Sequence, residues 1–222
     1  FTYRCRDGEG NASAEAEVTV TVSRVKSGVV YSDTEDSGAA AAAQYLAEQG
    51  IFTGTCLAGQ YFFEPDRPVS RAEFLAMTMD CAGMDASAVT VTGFSDDAAI
   101  PAWAKAYAAA GLRQGVVRGS ATEDGAAFRG EEAITFREAA VMLDRALQLR
   151  DVDLALCFAG TEDGSWAAQA LGNLEYCSVL STGSFGSPAM GETVTRADAA
   201  RMIASAAVLL EEKDPDLFAW LH

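Results

Sequence analysis

Two arginines stand where a cation is an odd choice. Arg71 lies in Ser70-Arg71-Ala72-Glu73 and Arg196 in Thr195-Arg196-Ala197-Asp198. A hydroxyl followed three residues later by an acid is the capping-box spacing, which predicts a helix beginning at each arginine. Thr135 and Glu138 repeat the spacing around Phe136-Arg137. Capping accounts for Ser70, Glu73, Thr135, Glu138, Thr195 and Asp198. It does not account for a guanidinium at the first helical position, where the macrodipole disfavours a cation by about 0.3 kcal/mol or more. A nearby anion would offset that, either a protein carboxylate such as Asp33 or an acidic ligand. A planar guanidinium fork suits a carboxylate, at roughly 1.5–3 kcal/mol for a charge-assisted bond. Trp103 and Trp166 have two readings of their own, stacking on a sugar face or packing in the core.

Other chemistry is scarce. The one histidine is His222, the last residue, which argues against His-based catalysis and His-ligated zinc. No G-x-S-x-G, Gly-rich phosphate loop or H-E-x-x-H occurs. The chain therefore reads as a non-enzyme with neither cofactor nor metal. Five cysteines (Cys5, Cys56, Cys81, Cys157 and Cys177) include no C-x-x-C. Cys56 with Cys81 and Cys157 with Cys177 are candidate disulfides, with buried thiols as the other reading. With 16 Lys and Arg against 32 Asp and Glu, the formal net charge is −16, which excludes a phosphate-backbone partner. The longest uncharged run, residues 176–191, is too short and too polar to span a membrane.

The elements that position these residues recur. Gly50-Ile51-Phe52-Thr53-Gly54 returns 65 residues later as Gly115-Val116-Val117-Arg118-Gly119. Phe63 returns as Phe128, Val69 as Ile134 and Glu73 as Glu138 at the same offset. A looser third copy runs from Trp166 through Val179–Gly183 to Val194–Asp198. Each segment predicts an alanine-rich helix (39–49, 102–114 and 166–176), a polar loop, and a capped second helix. Two short helices cannot enclose a core alone, so three units (27–88, 89–150 and 151–222) must share one. The expected fold is mainly α, three helix-loop-helix repeats.

The order F-x-D, Trp-Ala, G-[IV]-x-x-G, F-x-P and [IV]-T-R-A-E resembles that of S-layer homology domains. The first unit carries Tyr31-Ser32-Asp33, Gly50 to Gly54, Phe63-Glu64-Pro65 and Val69 to Glu73. The second carries Phe94-Ser95-Asp96, Trp103-Ala104, Gly115 to Gly119, Phe128 and Ile134-Thr135. The third keeps Trp166-Ala167 and Val194 to Ala197. The resemblance implies a pseudo-threefold body whose grooves bind secondary cell-wall polysaccharide, often pyruvylated, and an extracellular, wall-bound location. It implies glycan contacts at Arg71, Arg196, Asp33, Asp96, Trp103, Trp166, Gly50 and Gly115. A degenerate structural or protein-interaction module is the alternative, because Phe136 replaces one arginine, Gly38 a tryptophan and Gly160 an aspartate.

Residues 1–26 differ in kind. Phe1, Tyr3 and Cys5 alternate with polar residues, and so do Ala14, Ala16, Val18, Val20 and Val22. This predicts a hairpin that resembles the last strands of bacterial cadherin-like or immunoglobulin-like domains. Because a lone hairpin is marginal and the chain opens on Phe1, it reads as the end of a longer polypeptide, whose upstream domains are expected partners.

Overall fold

In the computed structural model, residues 2–6, 8–17, 27–35, 37–157, 166–180 and 191–211 are described. The strand expected through Val18 to Val22, the Phe158–Gly160 opening, residues 181–183 of the third glycine turn and the C-terminal tail lie outside them.

The alanine-rich stretches fold as α1 (Ala40–Glu48), α3 (Lys105–Arg113) and α5 (Ala168–Tyr176). The capped stretches fold as α2 (Arg71–Cys81), α4 (Phe136–Leu147) and α6 (Arg196–Glu211). Gly50 and Gly115 follow α1 and α3 at φ 72° and 76°, the left-handed backbone that ends a helix without a Cβ penalty. Packing pairs α1 with α6, α2 with α3, and α4 with α5, while α2 also meets α4 and α6. Phe63, Phe74, Phe128, Leu75, Ile134, Leu143, Leu171, Met202 and Ile203 are fully buried in one cluster. Each such side chain contributes about 1.5–3 kcal/mol relative to exposure.

The mainly α expectation holds only in part, because short β-hairpins stand between the helices. Antiparallel β1 (Thr2–Tyr3) and β2 (Ala16–Glu17) form the N-terminal one, with Tyr3 opposite Ala16. Its residues are exposed almost throughout. β3 (Thr55–Leu57) pairs with β4 (Gln60–Phe62), and β5 (Ser120–Thr122) with β6 (Gly125–Ala127). These two occupy the stretches read from sequence as polar loops. Ala58 and Gly59 both take positive φ, 50° and 83°, which suits a two-residue hairpin turn. Strands of three residues are too short to register as alternation, so the periodicity was silent there.

The loops entering α2, α4 and α6 close on one another. Val69 N–H donates to Val194 O, Val194 N–H to Ile134 O, and Ile134 N–H to Val69 O, each at 2.9 Å. A second ring follows one helical step on. Arg71 N–H donates to Glu132 O (2.9 Å), Phe136 N–H to Glu192 O (3.1 Å) and Arg196 N–H to Arg67 O (2.9 Å). The first N–H of each helix, which has no partner inside its own helix, is thus satisfied by the neighbouring segment.

Candidate functional site

All three caps close on both sides. Ser70 Oγ accepts from Glu73 N–H (3.2 Å), and Glu73 accepts from Ser70 N–H (2.9 Å). Glu138 N–H reaches Thr135 Oγ1 at 3.4 Å and Asp198 N–H reaches Thr195 Oγ1 at 3.2 Å. Their carboxylates accept in return from Thr135 N–H (3.0 Å) and Thr195 N–H (3.1 Å). With the first N–H of each helix held by a neighbour and the third by the cap, these termini have no room for a bound anion.

The arginines turn inward. Arg71 is 8% exposed; its Nε donates to Phe128 O at 3.0 Å and its Nη1 to Glu138 Oε1 at 2.7 Å. Arg196 is 5% exposed; its Nη1 donates to Phe63 O at 3.0 Å and to Glu64 Oε2 at 2.7 Å. Its Nη2 lies 3.7 Å from Glu73, and the guanidinium sits over the Phe52 ring at 5.0 Å. Burial pulls the Arg196 pKa down, with Arg67 adding repulsion and Glu73 and Glu64 opposing it. Each arginine therefore joins its own segment to a phenylalanine's carbonyl in another, and reaches that segment's capping acid, Arg71 at 2.7 Å and Arg196, whose shorter pair is with Glu64, at 3.7 Å. The carboxylate partner suggested from sequence, Asp33, is engaged elsewhere.

Asp33 accepts from Phe63 N–H (2.9 Å) and Glu64 N–H (2.8 Å), and Asp96 from Phe128 N–H (2.7 Å) and Arg129 N–H (2.8 Å). Both clamp a residue in the left-handed region, Glu64 at φ 55° and Arg129 at φ 57°. Such backbone costs about 1–3 kcal/mol and persists only where its surroundings hold it. The F-x-D and F-x-P spacing thus has a full explanation within the fold. Gly50 and Gly115 likewise end helices, and a Cβ on either would meet nothing within 4 Å.

The tryptophans settle outside the core, Trp103 at 51% exposure and Trp166 at 68%. Each flanks a groove. Trp103 faces about 370 Å³ shared with Arg67, Glu73, Pro101 and Glu131. Trp166 faces about 290 Å³ shared with Arg71, Arg118, Gly119, Glu138 and Arg145. A third groove, about 610 Å³ between α1 and α6, is lined mainly by Ala41, Ala42, Ala204, Val208 and Leu209. Arg71 and Trp166 therefore meet in one place, while Arg196, Asp33, Asp96 and Gly50 line none of these three grooves.

Arg118, Gly119 and Arg145 were not singled out from sequence. Gly119, at φ 74°, carried a signal in its G-x-x-x-G spacing. A Cβ there would stand 2.8 Å from Ala127 O and 2.9 Å from the Phe94 ring. Arg118 and Arg145 belong to no repeated pattern, and only the fold brings them together. Burial lowers the Arg145 pKa, followed by repulsion from Arg118.

Neither expected disulfide forms. All five cysteines are thiols, with Cys5 and Cys56 exposed, Cys81 and Cys177 half-buried and Cys157 buried. Cys56 faces solvent on β3, whereas the Cys81 thiol points to Ile203 O at 3.6 Å. The Cys157 thiol donates to Gly172 O at 3.4 Å, one turn before Cys177. Among the described residues no cluster of His, Cys, Asp and Glu could hold a metal, and no helix is long and apolar enough to cross a membrane. Compared with known proteins, the chain matches no family model and no curated sequence.

Proposed function

We propose that this chain is a non-covalent anchoring module that binds an acidic secondary cell-wall polysaccharide, pyruvylated or otherwise charged, and so holds a surface protein on a bacterial envelope. The observation that carries the reading is the closed ring of hydrogen bonds through Val69, Ile134 and Val194. A ring of that kind ties the three capped segments together as three S-layer-homology-like units in a pseudo-threefold body would be tied, with grooves beside the junctions open to a glycan. Of the three grooves, the one holding Arg71 and Trp166 offers the features an acidic sugar needs, cations beside an exposed aromatic face. The net charge of −16 is compatible, because at physiological salt distant acids are screened beyond about 8 Å.

A second reading, a structural or protein-interaction module without glycan binding, is favoured by one observation. Arg71 and Arg196 are already paired inside the protein. The two readings separate in a pull-down of the chain on purified cell-wall sacculi, before and after the secondary polymer is stripped with hydrofluoric acid. Anchoring predicts retention that disappears with the polymer. Equal retention on both, or none on either, refutes it.

A further inference from the structure

The groove beside Trp166 is lined by three guanidinium groups and one carboxylate. Glu138 is committed to Arg71 at 2.7 Å. Arg118, on the loop after α3, is exposed, and Arg145, on α4, is half-buried. Neither forms an ion pair or hydrogen bond with a described side chain, although they are close enough to repel each other. Asp144, the acid that acts most on Arg145, accepts from Asn173 Nδ2 at 2.8 Å. The groove lining thus carries two positive charges beyond the Arg71–Glu138 pair, that of Arg145 opposed by Asp144, in a chain with twice as many acids as bases. Two like charges gathered beside a cavity are a standing repulsion, and a doubly negative guest relieves it where a singly negative one relieves half.

We propose that the groove holds a dianionic group, a phosphomonoester being the simplest, with Arg118 and Arg145 as its cationic contacts. Arg71 serves as a positioning residue that keeps Glu138 from them, and the exposed Trp166 flanks whatever carries the charge. This rests on the anchoring reading for the glycan, but the charge requirement stands on the groove alone. Near neutral pH a phosphomonoester carries about −1.5 to −2, whereas a pyruvyl carboxylate carries one charge. Paired guanidinium forks can engage two of its oxygens at once.

The test uses the whole chain with Trp103→Phe and Trp220→Phe, so that Trp166 is the only tryptophan fluorophore. It is titrated at low salt and pH 7.5 with inorganic phosphate, a hexose 6-phosphate and pyruvate. Both phosphates should bind at least about tenfold more tightly than pyruvate. A gain of the hexose ester over inorganic phosphate identifies a glycan-borne group, and equal affinity identifies phosphate alone as the recognised element. Arg118→Gln and Arg145→Gln should each weaken phosphate binding by about tenfold, and the double variant should abolish it with the unfolding midpoint unchanged. Pyruvate binding as tightly as phosphate, or a double variant that keeps the parent's phosphate affinity, overturns the proposal. Sacculus retention separates the two readings. If the parent and the double variant are retained alike, the assignment of the groove's guest to the wall glycan fails and anchoring survives. If the parent is not retained yet binds phosphate, anchoring fails and the groove assignment stands.

Discussion

Replacing Arg71 by methionine tests whether the helix-start arginines hold the fold or a ligand. Methionine keeps most of the apolar stem, which lies against Phe128, and removes the guanidinium. Two groups then lose their donor. The Phe128 carbonyl loses the 3.0 Å bond from Nε, and leaving a buried acceptor unsatisfied costs about 1–3 kcal/mol. Glu138 loses its 2.7 Å partner, but its side chain is 31% exposed, so water compensates and the loss is at most about 1 kcal/mol. The sum is about 1–4 kcal/mol, or on the order of 2–16 °C in the unfolding midpoint for a chain of this size.

The assay is urea unfolding of the parent, Arg71→Met, Glu138→Gln and the double variant. Glutamine still serves the capping box, so Glu138→Gln isolates the charge. The double variant should recover about 0.5–1 kcal/mol relative to the sum of the singles, since no carboxylate is left without its partner. If Arg71→Met unfolds within about 0.5 kcal/mol of the parent, the guanidinium is not part of the frame and the wiring described above is wrong. The result also governs how binding data are read. Loss of sacculus retention in an Arg71 variant reports on the ligand only at temperatures well below its own midpoint.

Three further outcomes follow from the same geometry. In the unreduced native protein, a thiol reagent at pH 8 should label Cys5 and Cys56 rapidly and Cys81 and Cys157 slowly, because burial raises the Cys81 pKa to about 11 and that of Cys157 above its usual range. Fast labelling of Cys81 would contradict the packing of α2 on α6. Gly119→Ala should cost about 2–3 kcal/mol in denaturant unfolding, from a positive φ and a Cβ pressed on Ala127 O and Phe94. Gly50→Ala, with open space around it, should cost less, about 1 kcal/mol. Asp144 has its pKa raised, first by burial, so its folded form favours the proton. Its contribution is therefore favourable below the unfolded pKa and lost as pH rises through the raised value. Asp144→Asn should unfold no more easily than the parent at pH 7 and lose that advantage near pH 3–4; a variant relatively more stable at acid pH than at pH 7 would reverse the sign.

The helices were legible because their signals are local. Alanine content, an apolar stripe such as Phe74 and Met77, and a hydroxyl three residues before an acid all act within one turn. The offset of 65 located the glycine turns and the Phe63 and Phe128 positions. The destination of the side chains was not legible, because it is decided between segments. Spacing alone could not show that Arg71 would find a carbonyl 57 residues away, or that Asp33 would clamp a left-handed Glu64 instead of facing solvent. The motif residues that resemble glycan contacts divide accordingly. Asp33, Asp96, Gly50, Gly115 and Arg196 have complete roles in the frame, Arg71 has a frame role at the edge of a groove, and of the eight only Trp103 and Trp166 remain open to solvent beside one.

Phe136 stands at the first helical position that Arg71 and Arg196 occupy in the other two segments. Arg196 reaches the capping acid Glu73 of the first segment, and Arg71 reaches the capping acid Glu138 of the second. The third capping acid, Asp198, would be served by the residue at 136, where a buried phenylalanine stands. Asp198 instead takes Arg201 from its own helix at 2.6 Å. Where the other junctions have a buried ion pair between segments, this one has a buried phenylalanine plus a local pair, and apolar residues in place of a buried pair often leave stability unchanged or raise it. The ring of backbone bonds is intact at this junction, with Phe136 N–H on Glu192 O at 3.1 Å and Val194 N–H on Ile134 O at 2.9 Å. The junction between the second and third segments therefore differs from the other two in its electrostatics and not in its backbone frame. At this one junction the frame closes without an arginine at the first helical position, whereas Arg71 and Arg196 are wired into theirs. Among the described residues, Arg118 and Arg145 are two arginines without an ion pair to a described side chain that line a groove, beside the junction where Arg71 meets Glu138.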